Sequence, residues 1–400
     1  MVNKTRLFNG SCFALITTAF SFSIRAGILP QLGQEFNLSA EQLGFINSMW
    51  FFGFPLAMII GGLVYHTVGP KIIMQVAFVS HAIGILLTIY SGGYTGLLIS
   101  TFLIGLGNGC TEAACNPMIA DSYSGADMSK MLNRFHMWFP GGIVVGSLLS
   151  KFMTDANLGW QAQIWAILIP TLIYAYLFWG QTFPKPKVEG VTSIGENLKA
   201  MVTPLYIFMF CCMALTAITE FGPQQWTGLI MSKSGASPML ILALVTGLMA
   251  VCRFFGGPVV STLGQTGVLL GGAVFSLIGI YLFSTQTGSM AYVAAIFFAL
   301  GVAYFWPNMV GFIAEKVPLS GALGMSIIGG IGMFSTAIFQ PIIGRWIDEA
   351  RVEKAAANLT GDELELAAGQ ATLDNMAVFP AILIIAFIIL YFWMRKRSAA

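Results

Sequence analysis

Apolar runs of about 18 to 26 residues follow one another from end to end of this chain, each long enough to cross a hydrocarbon core of roughly 30 Å at about 1.5 Å per helical residue. In lipid every backbone N–H and C=O must be paired internally, which a helix does within each run. The reading is therefore all-α and integral to a membrane. With 56% hydrophobic and only 9% charged residues over 400 positions, against roughly a quarter charged in soluble domains, no ordinary globular core accounts for the composition.

About twelve runs can be drawn. In the first half they are Phe8 to Gln31, Gln42 to Tyr65, Ile72 to Tyr90, Leu97 to Ala120, Phe135 to Phe152 and Ala162 to Phe183. In the second they are Leu205 to Met231, Leu240 to Val260, Val268 to Phe283, Ala291 to Phe312, Leu323 to Ile343 and Ala377 to Trp393. The basic start followed by an apolar run looks like a signal peptide, but the run is too long for an h-region and reads as an uncleaved first span. Lys4, Arg6, Lys71, Lys130, Arg134, Lys185, Lys187, Lys199, Lys316, Arg395, Lys396 and Arg397 fall on the side of both termini. The other side carries mainly Lys151, Lys233, Arg345, Arg351 and Lys354. By the positive-inside rule both termini are cytoplasmic, and the chain is a multi-pass protein of a cell membrane, the inner membrane of a bacterium.

A net charge of +2 with dispersed basic groups excludes a nucleic-acid partner. The six cysteines, Cys12, Cys110, Cys115, Cys211, Cys212 and Cys252, all fall inside predicted spans without metal-type spacing, and read as buried thiols. No nucleophile, metal cluster or phosphate-binding loop sits in the inner loops, so the chain is expected not to be an enzyme and to need no cofactor or metal.

The apolar pattern breaks near the midpoint. Residues 184–202 read as a cytoplasmic linker between a six-helix bundle at 1–183 and a second at 203–400. Leu106, Gly107, Ala120 and Asp121 are echoed by Leu300, Gly301, Ala314 and Glu315, and Gly61 and Gly62 by Gly256 and Gly257. Two echoes at nearly one offset indicate a duplicated unit. Duplicated bundles that rock about a shared substrate site provide alternating access. The last outer loop, Arg345 to Asp374, contains an Ala-, Glu- and Leu-rich stretch, Val352 to Gln370, read as a short surface helix without chemistry.

Within the fourth run, Gly105, Asn108, Gly109, Glu112 and Asn116 fall in a stripe of roughly 100° on a helix. Glycines let a neighbouring helix approach, but Glu112 and Asn116 want water, ligand or a partner charge. Glu112 is the candidate proton-coupling residue. Arg25 lies on a polar stripe of span one with Thr18 and Ser21, offset from Glu112 by about 10 Å in depth. In the second half Glu220 precedes Pro223, expected to interrupt span seven, and then Gln224, Gln225 and Trp226, amides and an indole suited to hydroxyls and a sugar face. Asn47 with Trp50, and Trp306 with Asn308, offer similar pairs. Arg253 with Glu315, and Asp121 with Lys71 or Arg134, read as gating or structural ion pairs. His136 lies one or two turns into span five, open to cavity or packing, and His81 reads as a satisfied helix-interface residue.

Two six-span halves, an inner central linker and the segment Gly61 to Lys71 look like the major facilitator superfamily across essentially the whole chain. Asp and Arg usually stand before the glycine of that segment, where this chain has His66 and Thr67. Gly105, Gly107, Gly109, Glu112, Asn116 and Pro117, followed by Leu132, Asn133 and His136, resemble the fucose/galactose/glucose:H+ symporter family, as does Gly321 to Gly332. That resemblance implies a role in proton coupling and sugar binding for Glu112, a proton as the coupling ion, and a monomer. Counting back from Pro30, the family's Asn and Asp are replaced by Arg25 and Ala26. An Arg in span one with a Glu-Ala in span four also resembles the organic-anion branch, which imports sugar acids. The expectation is a secondary active symporter of a monosaccharide or sugar derivative working by alternating access. The alternative is symport of an anionic sugar acid or other organic anion. A drug or lipid exporter fits less well, because Phe139, Pro140, Gly141, Gly142 and Gly146 reproduce the exporter signature in span five poorly.

Overall fold

A helix of 50 residues is about 75 Å long, more than twice a hydrocarbon core, so Ala40–Ile89 is two spans rather than one. The bend is at Gly69, whose backbone has φ 75° and ψ 162°, an essentially glycine-only region that other residues enter at a cost of about 1–3 kcal/mol. Pro70 follows, supplying the fixed φ and missing N–H suited to the first turn of the next helix. A matching bend occurs at Gly264, with φ 68° and ψ 163°. The interval from Gly69 to Gly264 equals that from Gly61 to Gly256, so the duplication is a repeat of backbone geometry as well as of residues.

The computed structural model describes residues 2–185 and 194–398. Its chain divides into two units, Met1–Val191 and Thr192–Ala400. The first contains α1 (Lys4–Glu35), α2 (Ala40–Ile89), α3 (Tyr94–Ser122), α4 (Gly125–His136), α5 (Trp138–Asp155) and α6 (Trp160–Phe178). With α2 bent into two and α4 continuing into α5, these make six spans. Helix α1 is capped by the Asn3 side chain on Arg6 N, and α2 by a reciprocal Ser39–Gln42 capping box.

The second unit begins with a short helix, α7 (Ile194–Met201), inside the stretch expected as linker; residues 186–193 of that stretch, Lys187 among them, lie outside the described residues. It continues with α8 (Pro204–Ile230), α9 (Pro238–Phe254), α10 (Gly256–Thr285), α11 (Met290–Val302), α12 (Phe305–Lys316), α13 (Gly321–Ala356), α14 (Gly361–Met376) and α15 (Val378–Ser398). Span eight is α9 plus the start of α10, span ten is α11 with α12, and span twelve is α14 with α15.

Two expectations are corrected here. The outer loop from Arg345 is largely absent as a loop, because α13 runs on to Ala356 and α14 begins at Gly361. Asn358 and Gly361, at φ 65° and 58°, turn the chain between them. The Ala-, Glu- and Leu-rich stretch simply prolongs the flanking spans. Arg351 ties the two helix ends together through Asp348 (3.4 Å) and Glu365 (2.7 Å). Cys211, expected buried, is exposed on α8, while Cys12, Cys110, Cys115 and Cys212 are buried and Cys252 half-buried.

Candidate functional site

In the first unit, the glycines of span four are a packing device for two neighbours at once. A Cβ at Gly105 would sit 2.5 Å from the Trp50 carbonyl oxygen, and one at Gly109 2.1 Å from that of Phe54. At Gly107 the neighbour is a side chain: a Cβ there would lie 2.4 Å from Cδ2 of His81. The missing methyls therefore seat the second span against the fourth and make room for an imidazole from the third.

A buried polar chain runs through the gap so created. The Asn108 amide donates to Ser21 Oγ (3.2 Å), which leaves its Oδ1 as acceptor for His81 Nε2 (2.9 Å). The proton of the neutral ring is thus on Nε2, and Nδ1 accepts from the Tyr174 hydroxyl (2.9 Å). Ser21 Oγ also accepts from Trp50 Nε1 (3.0 Å) and donates to the Thr18 carbonyl (2.8 Å). His81 is the satisfied interface residue expected. Asn108, placed on the Glu112 stripe by helical angle, instead faces the interior of the bundle.

Arg25, 6% exposed, sits over the ring of Trp50 at 5.1 Å and that of Phe51 at 5.9 Å. Phe54 stacks on Trp50 at 5.5 Å. Trp50, expected to offer a face to a solute, is therefore committed to Arg25, Phe54 and Ser21. It and Asn47 are wholly enclosed. Arg25, Ser21, Thr88 and Thr101 line a cavity of about 20 Å³ within the bundle, room for a single water.

Glu112 and Asn116 are the half-buried polar pair of span four. Asn116 Nδ2 donates to the Glu112 carboxylate (2.5 Å) and to its carbonyl (3.2 Å). Asn116 Oδ1 is buried and lacks a hydrogen-bond partner. Among the described residues no cation pairs with Glu112. His136 is exposed and ends α4 three turns in, because span five starts earlier than its apolar run. Arg134 is exposed, and Asp121 accepts from the Tyr65 hydroxyl at 2.7 Å.

In the second unit, Pro223 does not interrupt α8, which continues from Pro204 to Ile230. The break lies in span ten, between α11 and α12, and its cause is Pro307. Without an N–H, Pro307 cannot bond the carbonyl four residues back, at Ala303. Arg253 Nε donates to that carbonyl instead, at 2.7 Å. Its Nη2 lies 3.5 Å from the carboxylate of Glu220, which is 3% exposed. The expected partner Glu315 is exposed at the far end of α12 and pairs with Lys316 at 2.6 Å. Beside the break, the Tyr304 hydroxyl donates to the Cys252 carbonyl (2.6 Å).

Gln224, Gln225 and Trp226 are all buried. Gln224 Nε2 contacts Met249 Sδ at 3.6 Å, and Trp226 Nε1 is a buried donor without a hydrogen-bond partner. Asn308 Nδ2 is another such donor. Trp306 is half-buried, edge-on to Phe221 at 6.2 Å, with Gly329 and Gly332 of α13 giving it room. Sequence reasoning missed the partnership of Arg253 with Ala303 although its signal, a proline four residues on, was present. The Ser21–Asn108–His81–Tyr174 chain had no signal beyond polar residues in apolar runs. Among the described residues no His, Cys, Asp and Glu cluster could hold a metal.

The profile of the Major Facilitator Superfamily matches residues 11–339. A putative niacin/nicotinamide transporter of Bacillus subtilis is 21% identical over 86% of this chain and 88% of that protein. The hexuronate transporter of the same organism is 26% identical, over 44% of this chain and 41% of its own. The L-fucose-proton symporter of Escherichia coli is 24% identical over 38% and 35%. Among solved structures, an inward-facing, unoccupied bacterial homologue of the human lysosomal transporter Spinster superposes with a TM-score of 0.82 at 13% identity, covering 96% of each chain. At that identity the likeness speaks for the fold alone.

Proposed function

The chain belongs to the Major Facilitator Superfamily and is a multi-pass secondary transporter, and on that premise we propose that it is a proton-coupled symporter of a sugar or sugar derivative. The observation that carries this reading is the pairing of Glu112 with Asn116. The amide can serve both protonation states of the acid: Nδ2 donates to the carboxylate as observed, and the unused Oδ1 can accept from a carboxyl O–H. The Glu112 carboxylate and Asn116 Oδ1 are acceptors suited to the hydroxyl donors of a sugar. Glu112 is the proton carrier in this reading, and both termini face the cytoplasm of a monomer.

A second reading, uptake of an anionic sugar acid or related carboxylate, is favoured by the intramembrane cation Arg25 and by the hexuronate and niacin transporters among the relatives. Arg25 lines only a water-sized cavity, so on this reading the cavity widens when the anion binds.

Thermal-shift measurements with L-fucose, glucuronate and nicotinate, each at two pH values, separate the two readings. The transported solute is then followed in proteoliposomes. Glu112→Gln is expected to abolish proton-driven accumulation while sparing counterflow. Accumulation that persists unchanged removes Glu112 from the coupling step.

A further inference from the structure

The Pro307 break has a function of its own. A carbonyl freed by proline inside a membrane span must find another donor, because no bulk water is available to it. Here the donor comes from another span, and it is charged: Arg253 Nε on Ala303 O at 2.7 Å. The guanidinium is in turn ion-paired with Glu220, 3.5 Å from its Nη2, a contact in which that buried nitrogen makes no hydrogen bond. A second bond, Tyr304 Oη to the Cys252 carbonyl, lies one residue along on both spans. Gly256 completes the joint, since a Cβ there would meet the Tyr304 ring at 2.7 Å. Immediately beyond the break, the first residues of α12 include Trp306, against Phe221 and the α13 glycines, and the buried Asn308.

We propose that Arg253 is a positioning residue: anchored by Glu220, it gives Ala303 the hydrogen bond that Pro307 cannot, and so fixes the bend that sets the direction of α12 and of Trp306 and Asn308. The proposal is independent of which solute is carried. It makes the charge of Glu220 a structural anchor and assigns the proton step to neither member of the pair.

The test uses the full chain in lipid nanodiscs, with N-ethylmaleimide labelling of Cys252 read by peptide mass spectrometry. Exposed Cys211 on α8 is the internal reference. Arg253→Gln is expected to raise Cys252 labelling about fivefold, the factor carried by one net hydrogen bond. Adding Pro307→Ala restores a backbone N–H to Ala303 and is expected to return labelling to the wild-type rate. Failure of Pro307→Ala to rescue Arg253→Gln overturns the proposal. Glu220→Gln is expected to raise labelling when Arg253 is present and to add nothing when it is Gln. An equal effect in both backgrounds overturns the anchoring role. If Arg253→Gln alone yields no folded protein, recovery of monodisperse protein in the double variant is the same prediction, and non-recovery refutes it.

Discussion

Substitution of Gly107 by Ala adds one methyl group at the place where the first unit has least room for it. The new Cβ would lie 2.4 Å from Cδ2 and 2.7 Å from Nε2 of His81. The imidazole cannot turn aside freely, because Asn108 and Tyr174 hold it on both nitrogens at 2.9 Å. Either the third and fourth spans separate, an overpacking cost of about 1–3 kcal/mol, or both hydrogen bonds are lost, at about 0.6 kcal/mol each on the average for polar contacts within membranes. Either way the destabilisation is about 1–3 kcal/mol. At Gly141 of α5 a Cβ meets nothing within 4 Å, so Gly141→Ala is expected to be neutral or to stabilise by up to about 1 kcal/mol through helix propensity. The assay is the unfolding midpoint of purified protein, with His81→Ala as a second background. Removing the ring removes the obstacle, so Gly107→Ala should cost close to nothing there. An equal loss with and without the imidazole would falsify the account, because the strain would then lie elsewhere.

Ser21→Ala strands two buried donors, Trp50 Nε1 and Asn108 Nδ2, and is expected to lower stability by about 1–3 kcal/mol, read in the same unfolding assay; Ser21→Thr, which keeps the oxygen, should lose less. Gly69→Ala and Gly264→Ala should each cost about 1–3 kcal/mol from their positive-φ, extended backbone alone, with no steric neighbour to blame at either site. If Ala at these bends is silent, the positive φ is not required. Asn116→Leu should leave the Glu112 carboxylate without its amide donor and abolish proton-driven accumulation, with Asn116→Gln losing less; uptake unchanged by Asn116→Leu would refute the pairing argument.

Span number and position were legible because each crossing needs a long apolar run, and that requirement leaves no alternative pattern. The glycines at 61, 62, 256 and 257 were readable as a repeat, and within each pair the structure shows the first packed and the second open. Element ends were less so. The prolongation of α13 to Ala356 crosses the region where hydropathy stops reporting, since a helix that leaves the membrane keeps its backbone bonds but not its apolar face. Site residues were harder still. Helical angle placed Asn108 with Glu112, but Asn108 stands at the edge of that stripe, about 40° from Glu112, and found its partner on His81. Arg253 was matched to the nearest expected acid at the same end, whereas the decisive partner was a backbone carbonyl that no residue-pair reading contains.

Glu112 and Glu220 differ in the kind of partner each has. Glu220 is held by a guanidinium. Arg253 itself is partly exposed, so only the carboxylate side of this contact is enclosed. Glu112 is held by a neutral amide. The amide can reverse its role from donor to acceptor, and its oxygen has no other hydrogen-bond partner to give up. Half-burial gives Glu112 access that Glu220 lacks. The proposed coupling role of Glu112 therefore stands on this amide partner, and Asn116→Leu is its direct test.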